Sequence, residues 1–161
     1  MQDMSRVDRI WNHPLYQQHL KGLLEAEQKR EFCRHTPEHF LDVARLTYIF
    51  ALEAGLSISK DIIYGAALLH DIGRKQQYDH GIPHEKASAA IAEQILPECG
   101  YAKEERAFIL DAILSHRKKE AGESLNGLMY RADKMSRLCF ACPAEQKCDW
   151  PKEKKNETIQ Y

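Results

Sequence analysis

Five stretches with helical periodicity each place a histidine or an aspartate on or beside the face that should be buried. Apolar residues recur in these stretches with a period near 3.6, which predicts α-helices. Burying an unpaired carboxylate costs several kcal/mol, and a buried imidazole also needs a partner. Burying six such groups at separate places in one small core would therefore cost too much free energy. We therefore predict that six side chains converge on shared cations: His39, His70, Asp71, His84, His116 and Asp133.

The helix boundaries support this arrangement. Thr36 followed by Pro37 predicts a helix start, because a hydroxyl can cap free N–H groups and proline is tolerated in the first turn. A second helix begins near Ser59, carries His70 on its buried stripe and ends at Gly73. The last long helix is expected at about 125–140.

The chain length suits one domain. With 161 residues, of which 43% are hydrophobic and 29% charged, the chain can bury a single core. We predict an all-α, single-domain helical bundle covering 1–161, with an outer helix at about 9–30, a core at about 36–138 and a cysteine-containing tail at 139–161.

Composition argues against binding to nucleic acid or membranes and against secretion. The formal net charge is -1, so no overall charge attracts nucleic acid or an anionic membrane. No apolar stretch approaches the roughly 18 residues of a membrane span, and the start lacks the apolar segment of a secretory signal. We therefore expect a cytoplasmic protein without a membrane partner. No glycine-rich nucleotide loop or serine-hydrolase motif is present.

Five motifs resemble, in order and spacing, the HD-domain superfamily of metal-dependent phosphohydrolases: "HFLDVARL", "ALLHDIGR", "HEKASAAIAEQIL", "ILSH" and "RADKMSR". The resemblance spans roughly residues 36 to 138, and "LLHDIG" is its most specific element. It implies an all-helical fold with the site inside the bundle. It also implies a basic metal set of His39, His70, Asp71 and Asp133, while His84 and His116 match two further histidines of members that hold two metals.

Two pairs of histidines compete for ligand positions. His39 is preferred to His35, because it stands one turn before Val43 as in the "HxxxV" pattern of that superfamily. His84 is preferred to His80, because His84 opens a helix in phase with its apolar stripe. Both alternatives remain open from the sequence.

The predicted ligands indicate an anionic substrate. Four neutral imidazoles and two carboxylates leave two divalent cations with an excess positive charge, which suits a phosphorylated small molecule such as a nucleotide. Nitrogen and oxygen donors without thiolate favour iron, manganese, cobalt or nickel, with zinc or magnesium as further options. In the expected mechanism Asp71 bridges both ions, and a water acidified between them attacks phosphorus.

Cations near the predicted ligands are candidates for phosphate binding. Arg74 and Lys75 directly follow the histidine–aspartate pair, and with Asp71 they form the predicted catalytic set. Arg131 and Lys134, on either side of Asp133, are weaker candidates.

The cysteines suggest a second site. Five is an odd number, and three lie close together in "CFACPAEQKC", which fits metal ligation or free thiols in a reducing compartment. If the helices of His39 and Asp133 run antiparallel around the shared metal, Cys33 lies on the same side as the tail. We predict a possible zinc or iron–sulfur site, with free thiols as the alternative, at Cys33, Cys139, Cys142 and Cys148.

Two other functions compete with the predicted phosphohydrolase. The same superfamily includes di-iron oxygenases with a closely similar ligand set, which would consume dioxygen. A catalytically inactive regulatory domain that binds metal or nucleotide is the non-enzymatic alternative. The complete set of six ligands favours catalysis.

Overall fold

The computed structural model describes residues 3–119 and 122–161 and confirms the all-α prediction, since no β-strand occurs in these two ranges. Three short 3-10 turns follow the last α-helix, at Cys139–Ala141, Glu145–Lys147 and Lys152–Lys154. The α-helices are α1 (Ser5–Asn12), α2 (Pro14–Ala26), α3 (Pro37–Glu53), α4 (Lys60–Leu69), α5 (Arg74–His80), α6 (His84–Glu98), α7 (Lys103–Ser115) and α8 (Leu125–Met135).

Helix α3 lies in the middle of the bundle and packs against both α4 and α8, while α6 packs against α7. As predicted, Pro37 occupies the first turn of α3, and the side chain of Thr36 accepts a hydrogen bond from the backbone of His39. Phe40 and Phe50 on α3 are fully buried together with Leu69 on α4. Within the described ranges, no helix has the length and apolarity needed to cross a bilayer.

The predicted outer helix at 9–30 is wrong in its bounds, because α1 and α2 occupy this segment with a break at His13. Pro14 causes the break: it has no N–H to donate, and it disfavours helical backbone at the residue before it. His13 accordingly has an extended backbone, and its Nδ1 accepts a hydrogen bond from the N–H of Leu15. The last helix is also shorter than predicted and ends at Met135.

Gly73 allows the turn after α4 to touch α6. Its N–H donates to Ser88 Oγ at 2.9 Å, and a Cβ at this position would lie 2.7 Å from the carbonyl carbon of Ala87. Gly73→Ala is therefore expected to lower the free energy of unfolding by about 3 kcal/mol, because backbone must move. Urea unfolding measures this loss.

Gly22→Ala is the matched control for that prediction. There the added Cβ would meet only the flexible side chain of Lys75, at 2.9 Å. We expect a change within about 1 kcal/mol, given the gain in helix propensity. Equal losses in the two variants would contradict the close backbone approach at Gly73.

Candidate metal centre

The ends of five helices bring the six predicted ligands together. His39 lies in the first turn of α3, His84 is the first residue of α6, and Asp133 lies in the last turn of α8. His70 and Asp71 follow α4 directly, and His116 follows α7. All six side chains are buried. Helix ends fit this role because the chain can turn there and aim a polar side chain inward.

Four of these side chains surround one point. His70 Nε2 lies 3.1 Å from Asp71 Oδ2 and 3.7 Å from Asp133 Oδ1. His39 Nε2 lies 3.3 Å from Asp133 Oδ1 and 3.9 Å from Asp71 Oδ2. One ligand atom from each of the four residues therefore lies within 4.8 Å of the others, a spacing at which they can hold one metal ion.

A second group forms on the other oxygen of the same aspartate. Asp71 Oδ1 lies 3.1 Å from His84 Nε2 and 3.5 Å from His116 Nε2. The two imidazole nitrogens are 3.2 Å apart. Asp71 thus belongs to both groups, with one carboxylate oxygen facing each.

Hydrogen bonds to the Nδ1 atoms orient all four imidazoles. Nδ1 of His70 lies 2.6 Å from Ala67 O, and Nδ1 of His116 lies 2.6 Å from Ile113 O. Because a carbonyl only accepts, both Nδ1 atoms must carry a proton, which leaves Nε2 as the ring atom that can bind a metal. Nδ1 of His84 faces Gln77 Oε1 at 2.5 Å, and Nδ1 of His39 faces Ser136 Oγ at 3.2 Å.

The buried donor atoms fit a cation. Both carboxylate oxygens of Asp71 and Nε2 of His70 are buried without a hydrogen-bond partner. Two Nε2 lone pairs facing each other at 3.2 Å, as in His84 and His116, repel unless something positive lies between them. The donors are nitrogen and oxygen atoms, which suit the divalent metals predicted from the sequence.

Neighbouring charges keep Asp71 ionised. Burial alone would raise its pKa, but the charges of His70 and Arg74 outweigh burial and hold the pKa well below its usual range. The pKa of His70 is raised to about 10, because Asp71 and Asp133 outweigh the opposing effect of burial. A metal ion therefore displaces a proton when it binds this imidazole.

His35 is a buried site residue that the sequence offered only as an alternative to His39. Its Nδ1 lies 2.5 Å from Glu27 Oε1, and its Nε2 lies 3.6 Å from Asp71 Oδ2. Glu27 also accepts from the hydroxyl of Tyr78 at 2.6 Å. The structure thus brings both His35 and His39 to the site. His80, in contrast, is exposed at the end of α5, away from His84.

The predicted phosphate-binding cations have different positions. Arg74 Nε lies 2.9 Å from Asp71 Oδ1, and Lys134 Nζ lies 2.6 Å from Asp133 Oδ2. Lys75 is not brought to the site, because its ammonium pairs with Asp79 and its aliphatic chain lies over Gly22 of α2.

Arg131 also lies away from the ligands. Its guanidinium stacks on the ring of Phe50, 3.5 Å from the centroid. This contact explains its position, since a guanidinium is attracted to an aromatic face.

A cleft of about 600 Å³ opens above His35, His84 and Asp133. Only two acidic side chains, Asp133 and Asp149, line it within the described part of the chain. Trp150 and Phe32 add aromatic surface. We name it the basic cleft after its six cationic side chains: Arg30, Arg74, Arg117, Lys134, Arg137 and Lys147. The sequence did not indicate this concentration of charge, because the six residues come from separate segments.

The match to known proteins decides the family. A family model described as HD domain matches residues 36–141. The chain belongs to the HD domain family. An uncharacterised protein of Clostridium beijerinckii is 46% identical to this HD domain protein over 98% of the chain and 100% of the relative. A Thermotogales crystal structure, described as a predicted HD superfamily hydrolase, has the same fold with a TM-score of 0.61, 24% identity, and coverage of 86% of this chain and 80% of that one.

More distant relatives are much longer. The ribonuclease Y of Oleidesulfovibrio alaskensis is 29% identical over 125 residues, which cover 77% of this chain and 22% of the relative. The ribonuclease Y of Clostridium tetani is 24% identical over 74% of this chain and 21% of its own length. The HD domain protein therefore spans about a fifth of these enzymes.

Proposed function

We propose that this HD domain protein is a metal-dependent phosphohydrolase acting on a phosphomonoester or phosphoanhydride of a nucleotide. The observation that carries the proposal is the carboxylate of Asp71, whose two oxygens face two separate groups of ligands. Such sharing supports a centre with two metal ions. His39, His70 and Asp133 would hold one ion with Asp71, and His84 and His116 would hold the other with the same carboxylate.

When bound, the two ions supply Lewis-acid activation of a water and neutralise the charge that develops on a phosphoryl group. The chain's own residues keep the ligands in the form that binds metal. Hydrogen bonds at Nδ1 hold the Nε2 lone pairs of His70 and His116 toward Asp71. In this structure Arg137 contacts Nε2 of His39 at 3.2 Å, so its guanidinium must move when that imidazole binds an ion.

The basic cleft supports an anionic substrate. Six cations against two carboxylates attract phosphate groups and raise their local concentration near the centre. Trp150 and Phe32 offer surfaces on which a base can stack, which favours a nucleotide over a small phosphate ester. The ribonuclease Y relatives make a short oligonucleotide a substrate to test.

The test is a screen of the manganese-loaded protein, by chromatography of all products together with phosphate release, over nucleoside monophosphates and triphosphates, dinucleoside polyphosphates and short oligonucleotides. We expect turnover of at least one class, and loss of turnover after chelation. Tight nucleotide binding without product would contradict catalysis. Dioxygen consumption by the iron-loaded protein, with no phosphate released, would instead support the oxygenase alternative.

Arg74→Ala is expected to raise KM for the phosphorylated substrate by about 10- to 100-fold, because a charged hydrogen bond to phosphate contributes roughly 1.5–3 kcal/mol. Arg74 has a half-buried guanidinium that lines the basic cleft beside Asp71. Steady-state kinetics measures the change. Arg45→Ala, which removes an exposed arginine paired only with Asp42, is the control and should leave KM unchanged. An unchanged KM in the Arg74 variant would exclude its role in binding.

A further inference from the structure

Four cysteines from two distant segments line one cavity of about 390 Å³ beside the basic cleft. Cys33 lies between α2 and α3, and the other three lie in the tail. The fifth cysteine, Cys99, is buried at the end of α6 and does not line the cavity. We name this the cysteine cavity and define it by Cys33, Cys139, Cys142 and Cys148.

Little of the tail is buried, and its contacts with the core are few: Asn156 donates to the carbonyls of Lys134 and Arg137, and the ring of Tyr161 contacts Phe50. All of residues 139–161 are described, and among them only Ala144 is buried. The regular structure of the tail is three short 3-10 turns. Such a segment buries too little apolar surface to offset the entropy lost on ordering. A metal group that crosslinks the tail to the core supplies the missing stabilisation.

Polar contacts already bring the tail to the segment that carries Cys33. Lys147 Nζ in the tail donates to Glu31 Oε1 at 2.8 Å, and Arg137 Nη1, two residues before the tail, donates to Arg34 O at 2.7 Å. Arg30 Nε donates to the carbonyl of Cys33 at 2.9 Å. These contacts, none of which involves sulfur, hold Cys33 near the three cysteines of the tail.

The sulfurs lie too far apart for a single tetrahedral ion. A tetrahedral zinc with Zn–S bonds of about 2.3 Å brings its sulfurs to about 3.8 Å from one another. In the described chain, which includes every cysteine, no three sulfurs lie within 4.8 Å of one another. A cubane cluster holds the sulfurs further apart, because each sulfur binds a different iron.

The lining of the cavity also suits a cluster. Apolar side chains, including Phe32, Leu138 and Trp150, form much of the wall. Arg34, Arg137 and Lys155 also line it. Four cysteine thiolates around an oxidised cubane leave two net negative charges. Glu31 and Glu145 line the cavity as well, so its three cations exceed its two carboxylates by one and offset part of the cluster charge.

We infer that Cys33, Cys139, Cys142 and Cys148 bind a [4Fe–4S] cluster that fastens the tail beside the basic cleft. Each thiol loses its proton, and its thiolate forms a bond to one iron of a preassembled cluster while the thiolate that held that iron on a carrier leaves and takes up a proton. This is a ligand exchange without change of oxidation state. The cysteine cavity and the basic cleft share Cys33, Cys148 and Trp150, so the cluster also stabilises one wall of the cleft.

The test is iron, acid-labile sulfide and zinc analysis of the full-length protein purified without air, together with its visible absorption. We expect about four sulfides per chain and a broad visible band that dithionite bleaches. Sulfide distinguishes the cluster from iron at the histidine centre, which has no sulfide ligand. One zinc per chain without sulfide, or no metal beyond the histidine centre with five titratable thiols, would overturn the inference.

Variants locate the cluster. Cys33→Ser is expected to lose most of the sulfide, although Cys33 lies outside the tail. Cys99→Ser and Asp71→Asn are expected to keep it. Full sulfide in the Cys33 variant would overturn the assignment of the fourth ligand. Because Asp71→Asn removes the proposed activity and spares the cluster, failure of one proposal is distinguishable from failure of the other.

Discussion

Asp71→Asn is expected to lower kcat/KM for the phosphorylated substrate by about a thousandfold or more, equivalent to roughly 4 kcal/mol of transition-state stabilisation. The amide retains the shape of the carboxylate but has only one oxygen and no charge. It therefore cannot serve both groups of ligands, which now face Oδ1 and Oδ2 of Asp71. Kinetics at saturating manganese, together with metal analysis of the same preparation, measures the effect.

The control for this variant is Asp42→Asn, which changes an exposed aspartate on α3 that pairs only with Arg45. Its kcat/KM should match that of the unmodified protein. Turnover within about tenfold of normal in the Asp71 variant, with metal still bound, would contradict the assigned role of this carboxylate.

Removing metal with a chelator is expected to lower the free energy of unfolding by about 4 kcal/mol, if the metal was present at roughly a thousand times its dissociation constant. For a chain of this length, that loss lowers Tm by about 10 °C. Without an ion, the buried oxygens of Asp71 lack partners, and the lone pairs of His84 and His116 face each other. Calorimetry with and without chelator, and after adding manganese back, measures the shift.

Asp71→Asn again provides the comparison. Most of the effect of chelation should disappear in that variant, because one group of ligands loses an oxygen and both groups lose the negative charge of Asp71. Sulfide should be measured before and after chelation, so that loss of the cluster is not mistaken for loss of the histidine-bound metal. A Tm that does not respond to chelation in the unmodified protein would mean that these side chains need no ion.

Sequence periodicity predicted the helices and the inward position of the six ligands. A buried polar residue can be recognised because it occupies a position in phase with the apolar face of its helix. His70 and His84 are examples, since each follows the apolar phase of its own helix. The resemblance of the motifs to a known superfamily added the division of the ligands into a basic set of four and two further histidines. Neither source predicted which oxygen of Asp71 faces which group.

The remaining features depend on tertiary contacts that periodicity does not contain. Lys75 directly follows Arg74, but consecutive side chains of an α-helix point about 100° apart. Lys75 therefore points away from the site and pairs with Asp79. His35 lies before the first turn of α3, where no stripe defines a buried face. A signal for it was nevertheless present, since Glu27 at the end of α2 is an acidic residue available to a buried imidazole.

The basic cleft was equally invisible in the sequence. Its cations lie in separate segments, and the overall net charge of -1 conceals their concentration on one surface. The break between α1 and α2 could have been predicted from His13 and Pro14, but the helical periodicity of the whole segment favoured one continuous helix. A proline preceded by a histidine that can cap the next helix predicts a new start.

Anomalous diffraction from crystals of the manganese-loaded protein tests the central claim most directly. We expect two manganese peaks, one bound by His39, His70 and Asp133, the other by His84 and His116, with Asp71 contacting both. A single peak on one side of Asp71, or manganese bound elsewhere with these six side chains free, would contradict a shared two-metal centre.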